Sequence, residues 1–249
     1  TSEKKENALK GEAFKTKEYV LKGEISEKKE CVLNIETFEK KACVLKKDNV
    51  RLNKIWKGVE TGLCGSFQVE NTVNVLHALR ILQLKYPKIT EETIRKGLRS
   101  VVWPGRFWKI GSRPDFYLDG AHNEDAVRKL RKTLEEGFSD RRIVYIMGVL
   151  ADKDYEKMIR MMFRPGDHVY TVTPQNPRAL DGKELEKQLL EQKIAARYCE
   201  NVQDAVLYAL RDAQKDDMIL AFGSLSYLRN VREAYESVMI ALEQEKIDL

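Results

Sequence analysis

The sequence contains few cysteines, few histidines and no long hydrophobic run. Its 4 cysteines form no C-x-x-C pair and its 3 histidines lack the spacing of metal ligands. These features argue against a disulfide framework or a zinc site, and they are typical of the reducing cytosol. No apolar stretch approaches the ~18 residues that a membrane span needs, and the first residues lack the order of a signal peptide. We therefore expect a cytoplasmic protein without a membrane span.

The charge of the 249-residue chain is unevenly distributed. Residues 1–58 contain 15 Lys and Arg against 10 Asp and Glu, whereas the remainder contains 29 of each, so the net charge of +5 belongs to the N-terminal segment. Because basic and acidic residues are interspersed in this segment, its charge only weakly indicates nucleic-acid binding. The hydrophobic content of 43% suffices for one large or two modest packed domains.

The first fifty residues repeat with a period of 12 residues. The repeats are S-E-K-K-E-N-A-L-K-G (2–11), F-K-T-K-E-Y-V-L-K-G (14–23), S-E-K-K-E-C-V-L-N-I (26–35) and F-E-K-K-A-C-V-L-K-K (38–47). Short apolar runs at this spacing predict the strands of a β meander over 1–58 rather than the helices of a solenoid. The segment is either a solvated ribbon along one edge of the fold or a binding surface.

From Gly65 onward the apolar residues follow the period of an α-helix. They recur at steps of three and four over residues 65–84, which predicts an amphipathic helix that Pro87 ends. A second helix is predicted to begin after Thr90, whose hydroxyl suits the N-cap position. W-P-G-R (103–106) is a turn signal, so we expect 59–102 to form a helical segment.

Farther along the chain, short apolar strands alternate with amphipathic helices. Strand patterns cover 116–118, 142–149, 168–172 and 218–223, and helical patterns cover 124–136, 153–163, 181–192, 201–214 and 226–245. This alternation predicts an α/β fold for 103–249, with a mostly parallel, Rossmann-like sheet and helices on both faces. Ligands of such sheets bind at the carboxyl ends of the strands. The segments D-G-A-H-N, G-V-L-A-D-K-D, T-P-Q-N-P-R and G-S-L-S-Y fall there.

The segment D-G-A-H-N (119–123) combines an acid, an imidazole and a helix start. Asp119 is an acceptor suited to ribose hydroxyls or an ammonium group, and Gly120 permits a sharp turn. His122 and Asn123 fall at the start of a helix, whose free N–H groups and dipole suit an anion. The alternative is that Asp119 and Asn123 only cap the helix.

Two further loops carry candidate groups of the same kind. Ser224, after the strand that ends at Gly223, could hold a carboxylate oxygen, although capping of the next helix explains it equally well. Arg106, after Pro104-Gly105, could bind a phosphate with its fork of donors, or it could be a surface charge. Arg178 in T-P-Q-N-P-R is expected to be a solvated arginine.

The order of these motifs resembles that of a known family. G-S-F-Q-V-E-N-T, P-G-R-F, Y-L-D-G-A-H-N, G-V-L-A-D-K-D and G-S-L-S-Y-L-R-N-V-R, over roughly 60–235, resemble folylpolyglutamate synthase/dihydrofolate synthase of the Mur ligase superfamily. The resemblance implies a ligase that adds L-glutamate to the γ-carboxylate of a folate or to dihydropteroate. In this chemistry ATP, helped by Mg²⁺, phosphorylates the carboxylate, and the amine of glutamate attacks the acyl phosphate.

The resemblance also assigns roles to individual residues. It implies that Asn71, Arg106 and Asp119 contact ATP and that His122 and Ser224 lie on the glutamate side. It names no protein nucleophile and no metal ligand in this chain.

Other parts of the family pattern have no counterpart here. The sequence contains no P-loop ending in Lys-Ser or Lys-Thr before Gly65, and Phe67 replaces a histidine of the family's G-x-H-Q motif. We therefore expect 59–102 to be the tail of an ATPase domain whose remainder acts in cis or in trans. Mg²⁺ ligands are expected mainly in that remainder, and the chain alone is expected to be inactive.

Three alternatives to the folate ligase remain. One is a Mur peptide ligase of cell-wall synthesis, which uses the same acyl-phosphate route. Another is a non-catalytic scaffold derived from a ligase, whose basic repeat binds an acidic partner. A dinucleotide-dependent oxidoreductase is disfavoured, because no G-x-G-x-x-G follows a strand.

Overall fold

The computed structural model describes residues 20–22, 34–36, 44–45, 50–51, 56, 58–65 and 67–247. The N-terminal part of the described chain contains two short antiparallel strand pairs. Strand β1 (Val20–Lys22) pairs with β2 (Asn34–Glu36), and β3 (Val44–Leu45) pairs with β4 (Val50–Arg51). The predicted β meander over 1–58 falls mainly on residues outside those described, so it stays a prediction.

Two helices follow, as the apolar period predicts. Helix α1 (Phe67–Leu82) buries Val69, Val73 and Leu76. It ends at Leu82, and turns continue to Tyr86, directly before Pro87. Helix α2 (Glu91–Ser100) begins after Thr90, whose hydroxyl accepts from the Thr93 N–H at 3.2 Å while the Thr93 hydroxyl accepts from the Thr90 N–H at 2.9 Å. This reciprocal pair confirms the predicted N-cap.

A six-stranded, mostly parallel sheet forms the rest of the described chain. In chain order its strands and helices are β5 (Trp108–Gly111), β6 (Asp115–Leu118), α3 (Glu124–Gly137), β7 (Ile143–Met147), α4 (Tyr155–Met162), β8 (His168–Thr171), α5 (Gly182–Glu191), β9 (Ala195–Tyr198), α6 (Val202–Asp212), β10 (Met218–Phe222) and α7 (Leu225–Ile247). The strand order is β5-β6-β10-β7-β8-β9, and β5 alone among these six runs antiparallel to its neighbour.

Helices cover both faces of this sheet, as predicted. Tyr145 and Met147 of β7 contribute to a core with α3, α4 and α5, whereas Val144 and Ile146 contribute to a second core with α6 and α7. This division follows from the period of two in a strand, which points successive side chains to opposite faces. The fold class predicted from the sequence is therefore confirmed.

The sequence analysis did not predict the two edge strands. Strand β5 (W-K-I-G) and strand β9 (A-A-R-Y) have no fully buried residue. A strand at the edge of a sheet can therefore lack the continuous apolar run that marks the buried strands β7 and β10. Within the described part of the chain, no helix combines the length and apolar character of a membrane span.

A buried tyrosine joins the two central strands where they end. The Tyr227 hydroxyl lies 2.6 Å from the Phe222 carbonyl oxygen, to which it donates, and it accepts from the Gly148 N–H at 3.1 Å. Burial raises the pKa of this hydroxyl far above its usual range, so it stays protonated. It satisfies backbone groups that would otherwise be buried without full hydrogen bonding.

We expect Tyr227→Phe to lower the free energy of unfolding by about 1–3 kcal/mol, because polar backbone groups lose a buried partner. Urea unfolding should show a lower midpoint at an unchanged slope. Tyr208→Phe is the matched control, since Tyr208 is half-buried on α6 and packs its ring against Tyr170. Equal losses in the two variants would contradict the role of the Tyr227 hydroxyl.

Candidate functional site

Three loops meet at the carboxyl end of the sheet: P-G-R (104–106), D-G-A-H-N (119–123) and G-S-L (223–225). The Gly120 N–H donates to the Gly105 carbonyl at 2.7 Å, and the Gly223 N–H donates to the Ala121 carbonyl at 3.0 Å. The first loop reaches this edge because β5 is antiparallel, so that Trp108 pairs with Leu118 at the end of β6. Strand β5, which the sequence analysis did not predict, therefore brings the loop of Arg106 close to Asp119.

Two glycines allow these loops to approach closely. Gly105 has a φ of +77°, a conformation that disfavours side chains, and a Cβ there would lie 2.9 Å from the Leu225 side chain. A Cβ on Gly120 would also overlap Leu225 and would lie 3.1 Å from the Gly105 carbonyl oxygen. Leu225 thus packs over both glycines, a contact that the sequence motifs did not predict.

The carboxylate of Asp119 lies at the centre of this arrangement and is only 4% exposed. One oxygen accepts from the Phe107 N–H at 2.7 Å, and the other accepts from the Ala121 N–H at 2.8 Å. Phe107 has a φ of +43°, a strained value for a residue with a side chain. Its ring is stacked on Tyr117 with 4.6 Å between centroids. Asp119 therefore stabilises a strained turn, and it does not cap helix α3.

The environment of Asp119 shifts its ionisation. Burial raises the pKa of this carboxyl to about 6, although the Phe107 and Ala121 N–H groups and the charges of Arg106 and His122 oppose the shift. The desolvation cost of the ion thus exceeds the gain from its partners. Asp115, at the start of the same strand, differs: burial opposes ionisation there too, but Arg141 and Lys109 hold its pKa below the usual range.

Arg106 projects into solvent from the turn that Asp119 holds. The guanidinium is exposed and makes no hydrogen bond or ion pair with any residue that the structure describes. Arg178, the other loop arginine, donates to Asp152 at 3.1 Å. Arg106 is thus available to a ligand, whereas Arg178 already has a partner.

The remaining residues of D-G-A-H-N lie where the strand passes into helix α3. His122 Nδ1 lies 2.7 Å from the Gly120 carbonyl oxygen, which can only accept, so Nδ1 carries a proton and Nε2 faces outward from this bond. Asn123 caps α3 by accepting from the Ala126 N–H at 2.9 Å. The first turn of α3 also contains Glu124 and Asp125, which disfavour a second anion there.

Helix α7 offers a better site for an anion. Ser224, 4% exposed, accepts from the Ser226 N–H at 3.2 Å and therefore caps the helix, as the alternative interpretation predicted. The two serine hydroxyls lie 2.8 Å apart. The first turn of α7 contains no acidic residue. The positive end of this helix dipole is therefore not neutralised by its own side chains.

Asn71 lies on helix α1 and belongs to none of the three loops. It is exposed on α1, donates to Gln68 Oε1 at 2.9 Å, and lines a pocket of about 390 Å³ formed by α1, α2 and the 101–103 segment. The structure thus brings Arg106 and Asp119 together, and the pocket that Asn71 lines extends to Trp103, next to the P-G-R loop. Across the described residues, no group of three or more His, Cys, Asp or Glu side chains could hold a metal ion.

We expect the Asp119 carboxyl carbon to titrate near pH 6 by NMR and that of Asp115 to titrate below its usual range. A folded-state pKa above the unfolded value of about 3.9 means that the folded chain binds more protons between about pH 4 and pH 6. The free energy of unfolding therefore falls as pH rises through this window. In Asp119→Asn this contribution disappears, so the advantage of wild type over the variant should shrink by about 2 kcal/mol between pH 4 and pH 7. A constant difference would show that Asp119 is not perturbed.

Comparisons with known proteins show what this part of the chain is similar to. Residues 105–225 match the family model described as Mur ligase, glutamate ligase domain. The chain is 34% identical over 178 residues to folylpolyglutamate synthase of Lacticaseibacillus casei, a match that covers 70% of this chain and 40% of the relative. It is 30% identical over 168 residues to UDP-N-acetylmuramoyl-L-alanyl-D-glutamate–2,6-diaminopimelate ligase of Caldanaerobacter subterraneus subsp. tengcongensis, covering 64% of this chain and 34% of the relative.

A solved structure shows the same fold. Folylpolyglutamate synthase of Mycobacterium tuberculosis, solved with ADP and AMPPCP, superimposes with a TM-score of 0.65 at 24% identity, covering 82% of this chain and 45% of the other. The chain spans less than half the length of the curated relatives that it matches. Residues 105–225 are therefore a domain of the family described as Mur ligase, glutamate ligase domain, and this part of the chain is similar to the corresponding part of folylpolyglutamate synthases.

Proposed function

We propose that this chain is part of an ATP-dependent ligase that joins L-glutamate to the carboxylate of a folate through an acyl phosphate. The observation that carries the proposal is the exposed guanidinium of Arg106, on a turn whose Phe107 N–H is held by the buried Asp119, beside an N-terminus of α7 that has no acidic residue in its first turn. This edge offers positive charge for two anions, a phosphate and a carboxylate. An acid–amino-acid ligase has to bind both.

The proposed chemistry needs positioned charge more than it needs a nucleophile. ATP transfers its γ-phosphoryl group to the folate carboxylate, and the amine of glutamate then attacks the acyl carbon and displaces phosphate. Arg106 would stabilise the negative charge of the transferring phosphoryl group. The Ser224 end of α7 and Nε2 of His122 would bind glutamate. Magnesium would supply further positive charge between phosphates, but we assign it no ligand among the described residues.

The domain organisation that we propose follows from the fold and the relatives. Residues 103–249 form the glutamate ligase domain, 59–102 form the tail of an ATPase domain, and 1–58 form the repeat segment. The relatives are more than twice as long as the matched part, which supports our expectation that the reaction needs a further ATPase portion, in cis or in trans. We therefore expect no turnover from the 249 residues alone.

The principal alternative is a peptide ligase of cell-wall synthesis. The 30% identity to a diaminopimelate ligase favours it, since both branches share this domain. The two reactions differ in the acceptor, a folate carboxylate in one and a UDP-sugar peptide in the other.

The deciding experiment uses the natural polypeptide that contains this chain. Its intact mass is measured first, and the protein is then incubated with ATP, Mg²⁺ and L-glutamate plus dihydropteroate, tetrahydrofolate or a UDP-N-acetylmuramoyl peptide. We expect glutamate-dependent ADP release with a folate acceptor and a product heavier by one glutamate residue. Ligation to the UDP-sugar peptide alone would establish the alternative. No ligation to any acceptor would favour the scaffold, whose partner binding should then require residues 1–58 and weaken with salt.

We expect Arg106→Ala in this polypeptide to lower kcat/KM for ATP by about 10²–10³-fold, because a positioned charge is lost from the phosphoryl transition state. Arg106→Lys should restore only part of the rate, since an ammonium group lacks the planar fork. The thermal midpoint should fall only slightly, because the guanidinium is exposed and makes no hydrogen bond among the described residues, although its charge favours the ionised Asp119. Arg211→Ala, at the far end of α6, is the matched control and should retain full activity. Equal activity of the Arg106 and Arg211 variants would contradict the assignment.

A further inference from the structure

Helix α7 presents one exposed face along most of its length. Its opposite face is buried, where Tyr227, Val231 and Ala234 pack into a core shared with α6. Residues spaced by three and four lie on the same side of a helix, and the exposed residues of α7 follow that spacing. In chain order the exposed residues on this side are Leu225, Arg229, Arg232, Glu233, Glu236 and Ile240. The face thus has an apolar residue at each end and four charges between them.

The four charges in the middle of this face are accessible from solvent. Within the helix, Arg229 pairs with Glu233 at 2.8 Å and Arg232 pairs with Glu236 at 2.8 Å. Exposed pairs of this kind contribute little to stability, and the order with the cation nearer the N-terminus is the less favourable one. The same side chains can therefore be shared with an opposing surface at little cost.

Apolar side chains flank the charges at both ends of the face. Leu225 is 49% exposed and Ile240 is 57% exposed. A groove of about 540 Å³ begins beside Leu225, and its apolar walls are formed by Leu225, Leu228, Trp108, Pro104 and Gly105. The Arg232 guanidinium lies over the Trp108 ring, 5.4 Å from its centroid, and so limits the groove on the charged side. This groove is large enough to receive an aliphatic side chain from a partner.

The order of residues on this face is self-complementary. Two α7 helices can pack antiparallel about a two-fold axis between Arg232 and Glu233, so that each position faces the position equally far on the other side of the axis. Arg232 then faces Glu233 of the partner subunit, and Arg229 faces Glu236 of the partner subunit. Leu225 faces Ile240 of the partner subunit. Every cation meets an acid, and every apolar residue meets an apolar residue.

A parallel pair of the same helices would bring like charges together. About a two-fold axis along the helices, each arginine would face an arginine and each glutamate a glutamate, which is unfavourable. Net charge does not oppose the antiparallel pair, because residues 59–249 contain 29 Lys and Arg and 29 Asp and Glu. The charge pattern therefore selects one direction of packing.

We propose that the exposed face of α7 is a self-association surface, on which a second copy of this chain packs antiparallel about a two-fold axis between Arg232 and Glu233. Ile240 of the partner subunit enters the groove beside Leu225 and contacts the P-G-R loop. The surface is independent of the proposed function, because its pairing involves neither ATP nor glutamate. A helix of 23 residues is about 34 Å long, so the interface is small and the expected Kd is about 10–100 µM.

The first test is sedimentation velocity of the 249-residue chain at concentrations from about 1 to 300 µM. We expect a reversible equilibrium between monomer and dimer, with no larger species, because an isologous interface closes on itself. A chain that remains monomeric over this range would overturn the proposal.

The second test reverses the charges on the two sides of the axis. In Arg232→Glu acids face acids twice across the axis, and in Glu233→Arg cations face cations twice, so each variant alone should have a Kd raised by about tenfold or more. A one-to-one mixture again places every cation opposite an acid, and its Kd should return to within about threefold of wild type. Variants that each dimerise like wild type, or a mixture as weak as its components, would overturn the proposal.

Arg128→Glu is the matched control for charge reversal. Arg128 forms an exposed pair with Glu124 four residues away on α3, at 2.6 Å, so its reversal perturbs a helix surface to a similar degree. Its Kd should equal that of wild type. A loss as large as that in Arg232→Glu would show that net charge, and not this face, controls association.

The third test removes an apolar contact. Ile240→Ser should raise the Kd by about tenfold or more, because two isoleucines lose burial in each dimer. Leu190→Ser, at a leucine that is 52% exposed on α5, is the control and should leave the Kd unchanged. Both side chains are exposed, so urea unfolding of the two monomers should have the same midpoint as wild type. An unchanged Kd in Ile240→Ser would contradict the antiparallel arrangement.

Discussion

A buried carboxylate connects two loops that are twelve residues apart, and the geometry of the candidate site depends on it. Asp119 sits where an ion is costly, as its raised pKa of about 6 shows. The cost is offset in part by two backbone hydrogen bonds and by the nearby charge of Arg106. In return the carboxylate stabilises a positive φ at Phe107 that this turn could not maintain alone. The exposed arginine therefore owes its position to an acid that solvent barely reaches.

The sheet determines which loops can form the site. Strand β10 lies between β6 and β7, so the loops after β6 and β10 are neighbours although about one hundred residues separate them. The antiparallel direction of β5 brings the loop that precedes it to the same edge. Tyr227 joins the ends of β7 and β10 from within the core. Rigid strands thus hold loops whose own residues carry the chemistry.

The charges at the two edges of the sheet are arranged differently. At the amino edge, Arg141 pairs with Asp115 at 2.7 Å, and Arg142 pairs with Asp212 at 2.6 Å and with Asp217 at 3.1 Å. Of these partly buried pairs, Arg142 with Asp217 joins the starts of the neighbouring strands β7 and β10. Arg141 with Asp115 connects β7 to β6 across β10, and Arg142 with Asp212 connects β7 to the end of α6. At the carboxyl edge, Arg106 has no such partner among the described residues. Its guanidinium is therefore available to an anion, which is the role that we propose for it.

The sequence alone determined the α/β class, the helices α1 and α2, and the placement of D-G-A-H-N and G-S-L at strand ends. Periodicity, capping residues and glycines are local signals. Each involves residues that are close in sequence, so it can be recognised without knowledge of the tertiary contacts. The Thr90 cap is an example, because its bonds span only three residues.

Only the tertiary structure decided which motif residues meet. Edge strand β5 lacks a buried run, so its antiparallel pairing, and with it the approach of Arg106 to Asp119, could not be read from local pattern. The strained turn at Phe107 and the packing of Leu225 over two glycines likewise depend on contacts between distant segments. Arg106 and Asp119 are joined by the sheet, whereas Asn71 lies on α1 and lines a pocket that reaches Trp103, so its predicted contact with ATP stays a prediction. Residue chemistry follows from the sequence, but proximity is a property of the fold.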